Sequence, residues 1–341
     1  MSDLPVTQRR IVLRQRPTGL VSWDDVALED AAPLPEMGDG QALVKTELIG
    51  IDATVRSWLN AGEGYLPAVE IGEVVRASGI GTVVATNSPA YEVGDVAYGL
   101  TGLQEYSVCS DDIFTSKLPP GTPLAPMLSV YGATGLTAYV GLIEVAAAQP
   151  GETVVVSAAA GATGSLVGQI AKILGCRVVG IAGTAEKCRF VVDELGFDAA
   201  INHRDDDLAA ALKEHCPRGV DVYFDNVGGR VLDAVLGRIA QHGRVALCGS
   251  ISSYNDVHKP PGPANYLNLI SRRGRMEGFI ALDHWGRFDE IKAVLRGWVT
   301  EGRLRHVEHY FDGLESSVDA LNALFTGANT GKVIVRLSDQ Q

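Results

Sequence analysis

The sequence predicts an α/β protein in which a β-rich domain is joined to a doubly wound parallel sheet of the Rossmann type. The length of 341 residues is too great for one ordinary core and suits two domains. The first third of the chain consists of short β-prone runs between turn residues. From about Met127 onward, apolar strand candidates alternate with segments of helical periodicity, a pattern typical of a parallel sheet covered by helices.

The N-terminal runs are rich in Val and Gly and indicate a mostly β, barrel-like domain. The strand candidates of this part are 42–49, 70–76, 81–85 and 96–98. The segment 60–67 between the first two of them is predicted to be a loop.

The second part of the chain carries β runs that alternate with amphipathic helices. The strand candidates are 153–157, 177–181, 199–201, 221–225, 244–247 and 276–281. The helix candidates between them are 164–174, 187–195, 206–215 and 231–239, and a Pro-rich polar insertion follows at 256–266. The tail predicts helices 288–301 and 314–325 and a last strand, 332–337, which we expect to return to the β-rich domain.

Composition and charge exclude several classes of function. The net charge is −12, and polyanions such as nucleic acid or an anionic membrane need a basic surface. The five cysteines form no CxxC pair, which favours free thiols in a reducing compartment. The N-terminus lacks the apolar core of a signal peptide, and no apolar run approaches the roughly 20 residues of a membrane span. We therefore expect a cytoplasmic protein without nucleic-acid or membrane partners.

A glycine-rich turn between strand 153–157 and the following helix is the strongest local motif. Gly161 would let the backbone approach a pyrophosphate, and Gly164 opens a helix whose first amides face the anion. Gly168 would allow close packing of the helix on the sheet. Because Ala159 replaces the first glycine of G-x-G-x-x-G, the motif is only moderately specific, and a turn that serves packing alone is the alternative.

The end of the second strand indicates which dinucleotide is bound. An NAD enzyme carries an acidic residue there for the ribose 2′-hydroxyl, whereas this chain has Gly183 and Thr184, followed by Lys187. A 2′-phosphate needs a cation and hydroxyl donors, so the pattern favours NADPH. Glu186 complicates this interpretation, and an ordinary exposed surface lysine is the alternative for Lys187.

With these residues identified, the chain resembles the prostaglandin reductase/leukotriene B4 dehydrogenase-like branch of the medium-chain dehydrogenases/reductases. That branch includes alkenal/one reductases and curcumin reductase-like bacterial enzymes. The matching stretches occur in the order of the family and cover nearly the whole chain: 65–73, 135–139, 158–164, 224–229, 248–255, 276–279 and 327–332.

The resemblance implies a GroES-like catalytic domain over 1–126, completed by 301–341, and a Rossmann NADP-binding domain over 127–300. It also implies a cleft between the two domains for the nicotinamide and the substrate, and it implies the residues of the site. Those expected to bind NADPH are Thr137, Gly161, Ala162, Thr163, Gly164, Gly183, Thr184, Lys187, His203, Arg204, Asn226, Cys248, Phe279 and Asn329. Those expected at the substrate pocket are Arg56, Tyr65, Tyr254 and Tyr266.

Two departures from the pattern of the family affect this site. His203 stands where the family usually has a tyrosine near the 2′-phosphate, so His203 or Arg204 would have to substitute for the phenol. The family pattern Asp-Pro-x-Met-Arg reads Asp-Ala-Thr-Val-Arg at 52–56, and we expect this change to alter the substrate pocket.

The sequence predicts no catalytic zinc. Zinc alcohol dehydrogenases of this superfamily carry a cysteine ligand soon after the stretch that corresponds to 50–52, where this chain has no Cys or His. His306 and His309 are three residues apart, but no Cys or carboxylate cluster accompanies them. A catalytic zinc takes about three protein ligands, and direct alcohol oxidation is disfavoured without a Lewis acid.

We therefore expect reduction of the C=C bond of an α,β-unsaturated ketone or aldehyde. Hydride would reach the β-carbon, the carbonyl oxygen would carry the enolate charge, and the α-carbon would then be protonated. Tyr254, or the ribose hydroxyl of the cofactor, would donate to that oxygen, with a merely structural loop aromatic as the alternative. An NADPH:quinone reductase shares these features, and a non-catalytic NADPH-binding sensor or structural protein is an alternative of another class.

We also expect a homodimer. Strand 276–281 should lie at an edge of the Rossmann sheet, and an open apolar edge is a liability unless it is paired. Members of the family join their sheets at this edge.

Overall fold

A computed structural model describes residues 4–62, 64–112, 115–256 and 260–337 of the chain. The chain divides into two compact units, Met1–Leu128 together with Glu308–Gln341, and Ser129–Val307. None of the helices in these described ranges is both long and apolar enough to cross a membrane.

The helices and strands follow one another along the chain in this order. Up to residue 128 they are β1 (Thr7–Leu13), β2 (Val26–Pro33), β3 (Gln41–Ile51), α1 (Thr54–Trp58), β4 (Ser78–Thr86), β5 (Val96–Gly99), β6 (Tyr106–Ser110), β7 (Ser116–Leu118) and α2 (Leu124–Leu128). The second unit contains α3 (Ala133–Tyr139), the π-helix Val140–Val145, β8 (Thr153–Ser157), α4 (Ala162–Ile173), β9 (Arg177–Ala182), α5 (Ala185–Asp193), β10 (Ala199–Asn202), α6 (Leu208–His215), β11 (Val220–Asp225), α7 (Gly229–Leu236), β12 (Ile239–Leu247), α8 (Asn268–Arg272), β13 (Arg275–Gly278) and α9 (Phe288–Thr300). The chain ends with β14 (Glu308–Asp312), α10 (Ser317–Thr326) and β15 (Lys332–Arg336).

The first unit is built on a mostly antiparallel sheet to which both ends of the chain contribute. Its strands follow the order β14-β15-β3-β4-β5-β7, β6 also pairs with β3, and β1 pairs with β2. β15 is antiparallel to β3, so the last strand returns to the β-rich unit. Apolar side chains from early and late segments, including Ile49, Val55, Leu321 and Val333, share its core.

The second unit is a doubly wound parallel sheet. Among the described residues its strands follow the order β10-β9-β8-β11-β12-β13, and every neighbouring pair is parallel. β8, which precedes the glycine-rich turn, lies inside the sheet, and all of its residues are buried. This architecture confirms the predicted fold class and the edge position of β13. Ligands in such sheets bind beyond the carboxyl ends of the strands, where the order reverses beside the first strand.

Three predicted elements are wrong in detail. The predicted strand 70–76 is a turn around Gly72 (φ +89°) with a single bridge between Val12 and Val74. β1 accepts from Gly72 N and Val75 N and donates to Glu73 O, because the turn at Gly72 bends the chain away from a regular ladder. The predicted helix 231–239 ends at Leu236, and Ile239 already pairs with β11. The predicted strand 276–281 ends at Gly278 and is followed by the 3₁₀ helix Ala281–Arg287.

The two predicted loops are irregular where the structure describes them. Residues 60–62 and 64–67 are in neither helix nor strand, and residue 63 lies outside the described part. In the insertion 256–266, residues 257–259 lie outside the described part. The rest is irregular until a 3₁₀ turn, Ala264–Leu267, begins.

Candidate dinucleotide-binding site at the carboxyl edge of the parallel sheet

The turn after β8 presents backbone amides at the amino end of α4. Ala158 adopts a left-handed conformation (φ +49°), and Gly161 N donates to Ala158 O over 2.8 Å. Ser165 N makes the first helical bond, to Gly161 O, so the amides of Ala162, Thr163 and Gly164 precede the helical ladder. Such amides, together with the helix dipole, favour an anion.

Two glycines of this motif are required by packing. A Cβ added to Gly164 would lie 2.3 Å from Ala158 O, so a side chain there would push the turn away from the helix. A Cβ added to Gly168 would lie 1.8 Å from the ring of Phe197, which packs against α4. Gly168 therefore serves the packing role expected for the last glycine of the fingerprint, although its partner is an aromatic side chain rather than the sheet.

The end of β9 carries the residues that indicate NADPH. Thr184 caps α5, and its hydroxyl accepts from Lys187 N over 3.2 Å. Burial lowers the pKa of the Lys187 ammonium, the charge of Arg204 lowers it further, and Glu186 opposes them. An anionic ligand beside this ammonium would favour its charged form, because a nearby opposite charge stabilises it.

The end of β10 brings more nitrogen donors to the same place. A Cβ added to Gly183 would lie 3.3 Å from His203 Nε2 and 3.4 Å from Arg204 Nε. Burial lowers the pKa of His203, and the charges of Arg230 and Arg204 lower it further. Arg230 Nη2 lies 3.2 Å from His203 Nδ1 and also donates to His203 O.

We call Lys187, His203, Arg204 and Arg230 the cationic group. Three of the four were predicted from the sequence, and Arg230 was missed. The sequence does contain a feature that points to Arg230. It follows the glycine pair 228–229 at the start of a helix, shortly after a buried strand.

The end of β11 is tied to the end of β8 through a buried carboxylate. Asp225 Oδ1 accepts from Tyr223 OH (2.7 Å), Ser157 Oγ (3.2 Å) and the amides of Val227 and Gly228 (3.0 and 2.9 Å). Its Oδ2 is buried and has no hydrogen-bond partner, and burial raises the pKa of Asp225 despite the four donors.

Asn226 is held by the same network. Its amide N donates to Ser157 Oγ over 2.9 Å, and its Nδ2 donates to Ser157 O over 2.7 Å. The side-chain orientation of Asn226 is therefore fixed from β8. Sequence reasoning selected Asn226 but not the supporting residues Asp225 and Ser157.

The loop after β12 carries Cys248 and Tyr254. Burial raises the pKa of the Cys248 thiol to about 12, and the Asp225 carboxylate adds to the shift. The Tyr254 hydroxyl accepts from Ser250 N over 3.1 Å. Burial raises the pKa of Tyr254, so its phenol keeps its proton at neutral pH.

Glycines place this loop against the end of β11. A Cβ on Gly228 (φ +70°) would lie 2.5 Å from Ser250 Oγ, and one on Gly229 (φ +54°) would lie 3.0 Å from Ser252 Oγ. Ser252 Oγ donates to Val227 O over 2.6 Å. The loops that carry Asn226 and Tyr254 are thus in direct contact.

Phe279 and Thr137 lie on helices and loops around the π-helix Val140–Val145. The ring of Phe279 packs edge-on against Phe224, with 6.1 Å between centroids, and Gly141 leaves the space for both rings. Thr137 Oγ1 donates to Ala133 O of its own helix. π-Helical turns of this kind are frequent at functional sites.

The remaining predicted residues have other surroundings. Arg56 is buried at 1% exposure, and its guanidinium donates to Gly19 O, Pro17 O and Asn60 Oδ1, which fits a loop-fixing role. In the same unit, Tyr65 is exposed and packs edge-on against Trp58, while buried Asn329 donates to Gly331 O. Tyr266 of the second unit is exposed.

All five cysteines lie in the described part of the chain and are free thiols. Within residues 4–62, 64–112, 115–256 and 260–337, no group of three or more His, Cys, Asp and Glu side chains could hold a metal ion. The described site is therefore built from backbone amides, cations and a buried polar network.

The β-rich unit, the Rossmann unit and this site together define a dehydrogenase or reductase of the medium-chain type. Residues 9–116 match the family model described as the N-terminal domain of oxidoreductase, and residues 162–297 match the model described as zinc-binding dehydrogenase.

Similar proteins show which branch of this class the chain belongs to. The NADPH-dependent curcumin reductase of Escherichia coli K12 is 40% identical over 337 residues, which cover 97% of each chain. The NADP⁺-dependent 2-alkenal reductase of Nicotiana tabacum is 38% identical and covers 98% of each chain. The crystal structure of CurA from Vibrio vulnificus in complex with NADPH superposes with a TM-score of 0.92 at 37% identity, over 97% of this chain and 99% of that one. The chain belongs to the zinc-independent medium-chain dehydrogenase/reductase family, in its alkenal/one reductase branch.

Proposed function

We propose that this chain is an NADPH-dependent reductase of the C=C bond of α,β-unsaturated ketones and aldehydes. The observation that carries the NADPH part is the cationic group beside Gly183 and Thr184, at the point of the sheet where an NAD enzyme would carry an acid. The C=C part is supported by relatives that are named as NADPH- or NADP⁺-dependent reductases of curcumin and of 2-alkenals.

The chain's own residues fit the two ends of such a dinucleotide. The amides of Ala162, Thr163 and Gly164 would hold the pyrophosphate, because they precede the helical ladder of α4. Lys187 and Arg204 of the cationic group would hold the 2′-phosphate by charge-assisted hydrogen bonds, and His203 would add a further donor. Asn226, fixed by Ser157, would meet the ribose. When bound, NADPH supplies the hydride that adds to the β-carbon of the substrate.

Tyr254 is the side chain proposed to act at the substrate. Its phenol is protonated at neutral pH and is held through Ser250 N, so it would donate a hydrogen bond to the carbonyl oxygen as negative charge develops there. Thr137 and Phe279 of the same unit would border the nicotinamide, and Tyr266 the substrate region.

We further propose a cytoplasmic homodimer. The free thiols support a reducing compartment. β13 lies at the edge of its sheet, and the exposed side chains of Tyr266, Leu267 and Ile270 precede it in the chain. An open strand edge with apolar neighbours favours pairing with a second copy.

The experiment that tests the proposed activity is an acceptor panel assayed with NADPH. It contains an enone, an alkenal, a quinone and the saturated ketone that matches the enone. Turnover of the enone and alkenal, with retention of the carbonyl group, is expected. Turnover of the quinone alone would assign a quinone reductase, and tight NADPH binding without any turnover would assign a non-catalytic binding protein.

A further inference from the structure

The imidazole of His203 lies between a guanidinium and the backbone turn of Gly183. On one side, Arg230 Nη2 is 3.2 Å from Nδ1, and the same guanidinium donates to His203 O. On the other side, Nε2 is 3.3 Å from the position that a Cβ on Gly183 would take. The two ring nitrogens therefore face different groups.

These contacts decide which nitrogen of the ring carries the proton. A guanidinium has only donors, so Nδ1 must accept from Arg230, and the neutral ring then carries its proton on Nε2. A proton on Nδ1 would face the N–H group of Arg230 Nη2. Protonation of both ring nitrogens would in addition place a positive charge beside Arg230 and Arg204. Asp205 and Asp206, the acids of the same loop, each direct one carboxylate oxygen at Asn202, where they accept from Asn202 Nδ2 and Asn202 N.

The other charged groups at this turn are on α5. Burial and the charge of Arg204 lower the pKa of the Lys187 ammonium, and the charge of Glu186 raises it. The surroundings of His203 therefore carry an excess of positive charge from α5, α7 and its own loop. Such surroundings keep the imidazole neutral.

We propose that Arg230 is a positioning residue that holds His203 as the neutral Nε2–H tautomer, so that His203 offers a hydrogen-bond donor to the 2′-phosphate of NADPH. This inference rests on the proposed function. The neutral Nε2–H group takes the part of the phenol that the family resemblance implies at this position. The preference for NADPH over NADH then requires Arg230 although the guanidinium acts through the imidazole.

The first test uses the protein without cofactor. The ring nitrogens of His203 are followed by NMR titration in the wild-type chain, in Arg230→Met and in the matched control Arg218→Met, an exposed arginine on the loop before β11. In Arg230→Met we expect the pKa of His203 to rise by about 0.5–1 unit, the size of an ordinary environmental shift. Arg218→Met should leave it unchanged. The same His203 titration in all three proteins would overturn the proposal.

The second test is a double-mutant cycle on the Kd values of NADPH and NADH. Arg230→Met should raise the Kd of NADPH about 10-fold, which corresponds to one charge-assisted contact. The Kd of NADH should rise less than about 2-fold. In a His203→Phe background, and in His203→Tyr, which restores a phenol, Arg230→Met should have almost no further effect.

Two results would contradict the inference. An equal loss from Arg230→Met with and without the imidazole would mean that Arg230 contacts the phosphate itself. A wild-type chain that does not bind NADPH would refute the proposed function and the phosphate role of His203, whereas the cofactor-free titration would still report on the Arg230–His203 pair.

Discussion

Ala159, in the turn after β8, faces Gly180 of β9, and a Cβ added to Gly180 would lie 2.9 Å from the Cβ of Ala159. Ala159 occupies the first glycine position of the dinucleotide fingerprint and is fully buried. Its amide donates to Ile181 O over 3.0 Å, so the turn is attached to the neighbouring strand. The missing side chain of Gly180 therefore makes room for the methyl group that the fingerprint normally excludes.

This pair predicts that Gly180→Ala destabilises the second unit. The new methyl would meet Ala159 Cβ at 2.9 Å and Phe197 Cδ2 at 3.0 Å. Overpacking of this kind costs about 1–3 kcal/mol of the free energy of unfolding, measured by chemical denaturation. Adding Ala159→Gly should restore only part of the loss, because the contact with Phe197 remains. Gly297→Ala on α9 meets nothing within 4 Å and is the control, expected to be neutral or stabilising. A Gly180→Ala protein as stable as the wild type would refute this account of the turn.

The sequence predicted β8, β9, β10 and β11 well because each is a short, mostly apolar run followed by a periodic helix. It failed where a tertiary contact decides the local structure. Valine is a residue type favoured in strands, and the run around Val74 therefore predicts one. Gly72 turns the chain there, so that only one bridge to β1 forms. Within the site, the fingerprint residues were found from their spacing. Arg230 and Asp225 were missed because their roles depend on partners from other strands, His203 and Ser157.

Lys187→Ala should separate the two nicotinamide cofactors. The ammonium lies in the cationic group, and a charge-assisted phosphate contact contributes about 1.5–3 kcal/mol, so the KM for NADPH should rise about 10- to 100-fold. The KM for NADH should change little. Steady-state kinetics with both cofactors measure this, with Lys213→Ala, at an exposed position of α6, as the control. Equal losses for NADPH and NADH would mean that Lys187 does not contact the 2′-phosphate.

Glu152 should stabilise the second unit in a pH-dependent way. Its oxygens accept from Arg244 over 2.8 and 2.6 Å. Burial would raise the pKa of Glu152, but the hydrogen bonds from Arg244 and Gln149 N and the charge of Arg244 bring it below the ordinary 4.5. A carboxyl group whose folded pKa is lowered contributes stability that is complete above its unfolded pKa and is lost as the pH falls through the folded one.

Glu152→Gln should therefore lower the free energy of unfolding by about 1–3 kcal/mol near pH 7. The difference from the wild type should shrink as the pH falls below about 4.5. Urea denaturation across this range measures it, and Glu290→Gln, which breaks an exposed pair with Arg287, should have little effect. A difference that stays constant with pH would show that the ionised carboxylate is not the source of the stability.

Tyr254→Phe should impair the reaction more than cofactor binding. Removing the phenol takes away the proposed donor to the substrate oxygen, so kcat/KM for a small enone should fall by about 10- to 1000-fold. The Kd of NADPH should change little, because the cationic group is built from other residues. Single-turnover hydride transfer measures the step itself, and Tyr310→Phe, an exposed phenol on β14, is the control. Unchanged hydride transfer would remove Tyr254 from the mechanism, and an equal loss of NADPH binding would make it a cofactor-positioning residue.

The central claim is that hydride reaches the β-carbon of an enone, and isotope transfer tests it most directly. The wild-type protein is incubated with a small enone and NADPH deuterated at the transferable position of the nicotinamide, and the product is examined by NMR and mass spectrometry. The account predicts a saturated ketone that carries one deuterium on its β-carbon. An allylic alcohol with deuterium on the carbonyl carbon would contradict it, as would recovery of the unchanged enone from a protein that binds NADPH.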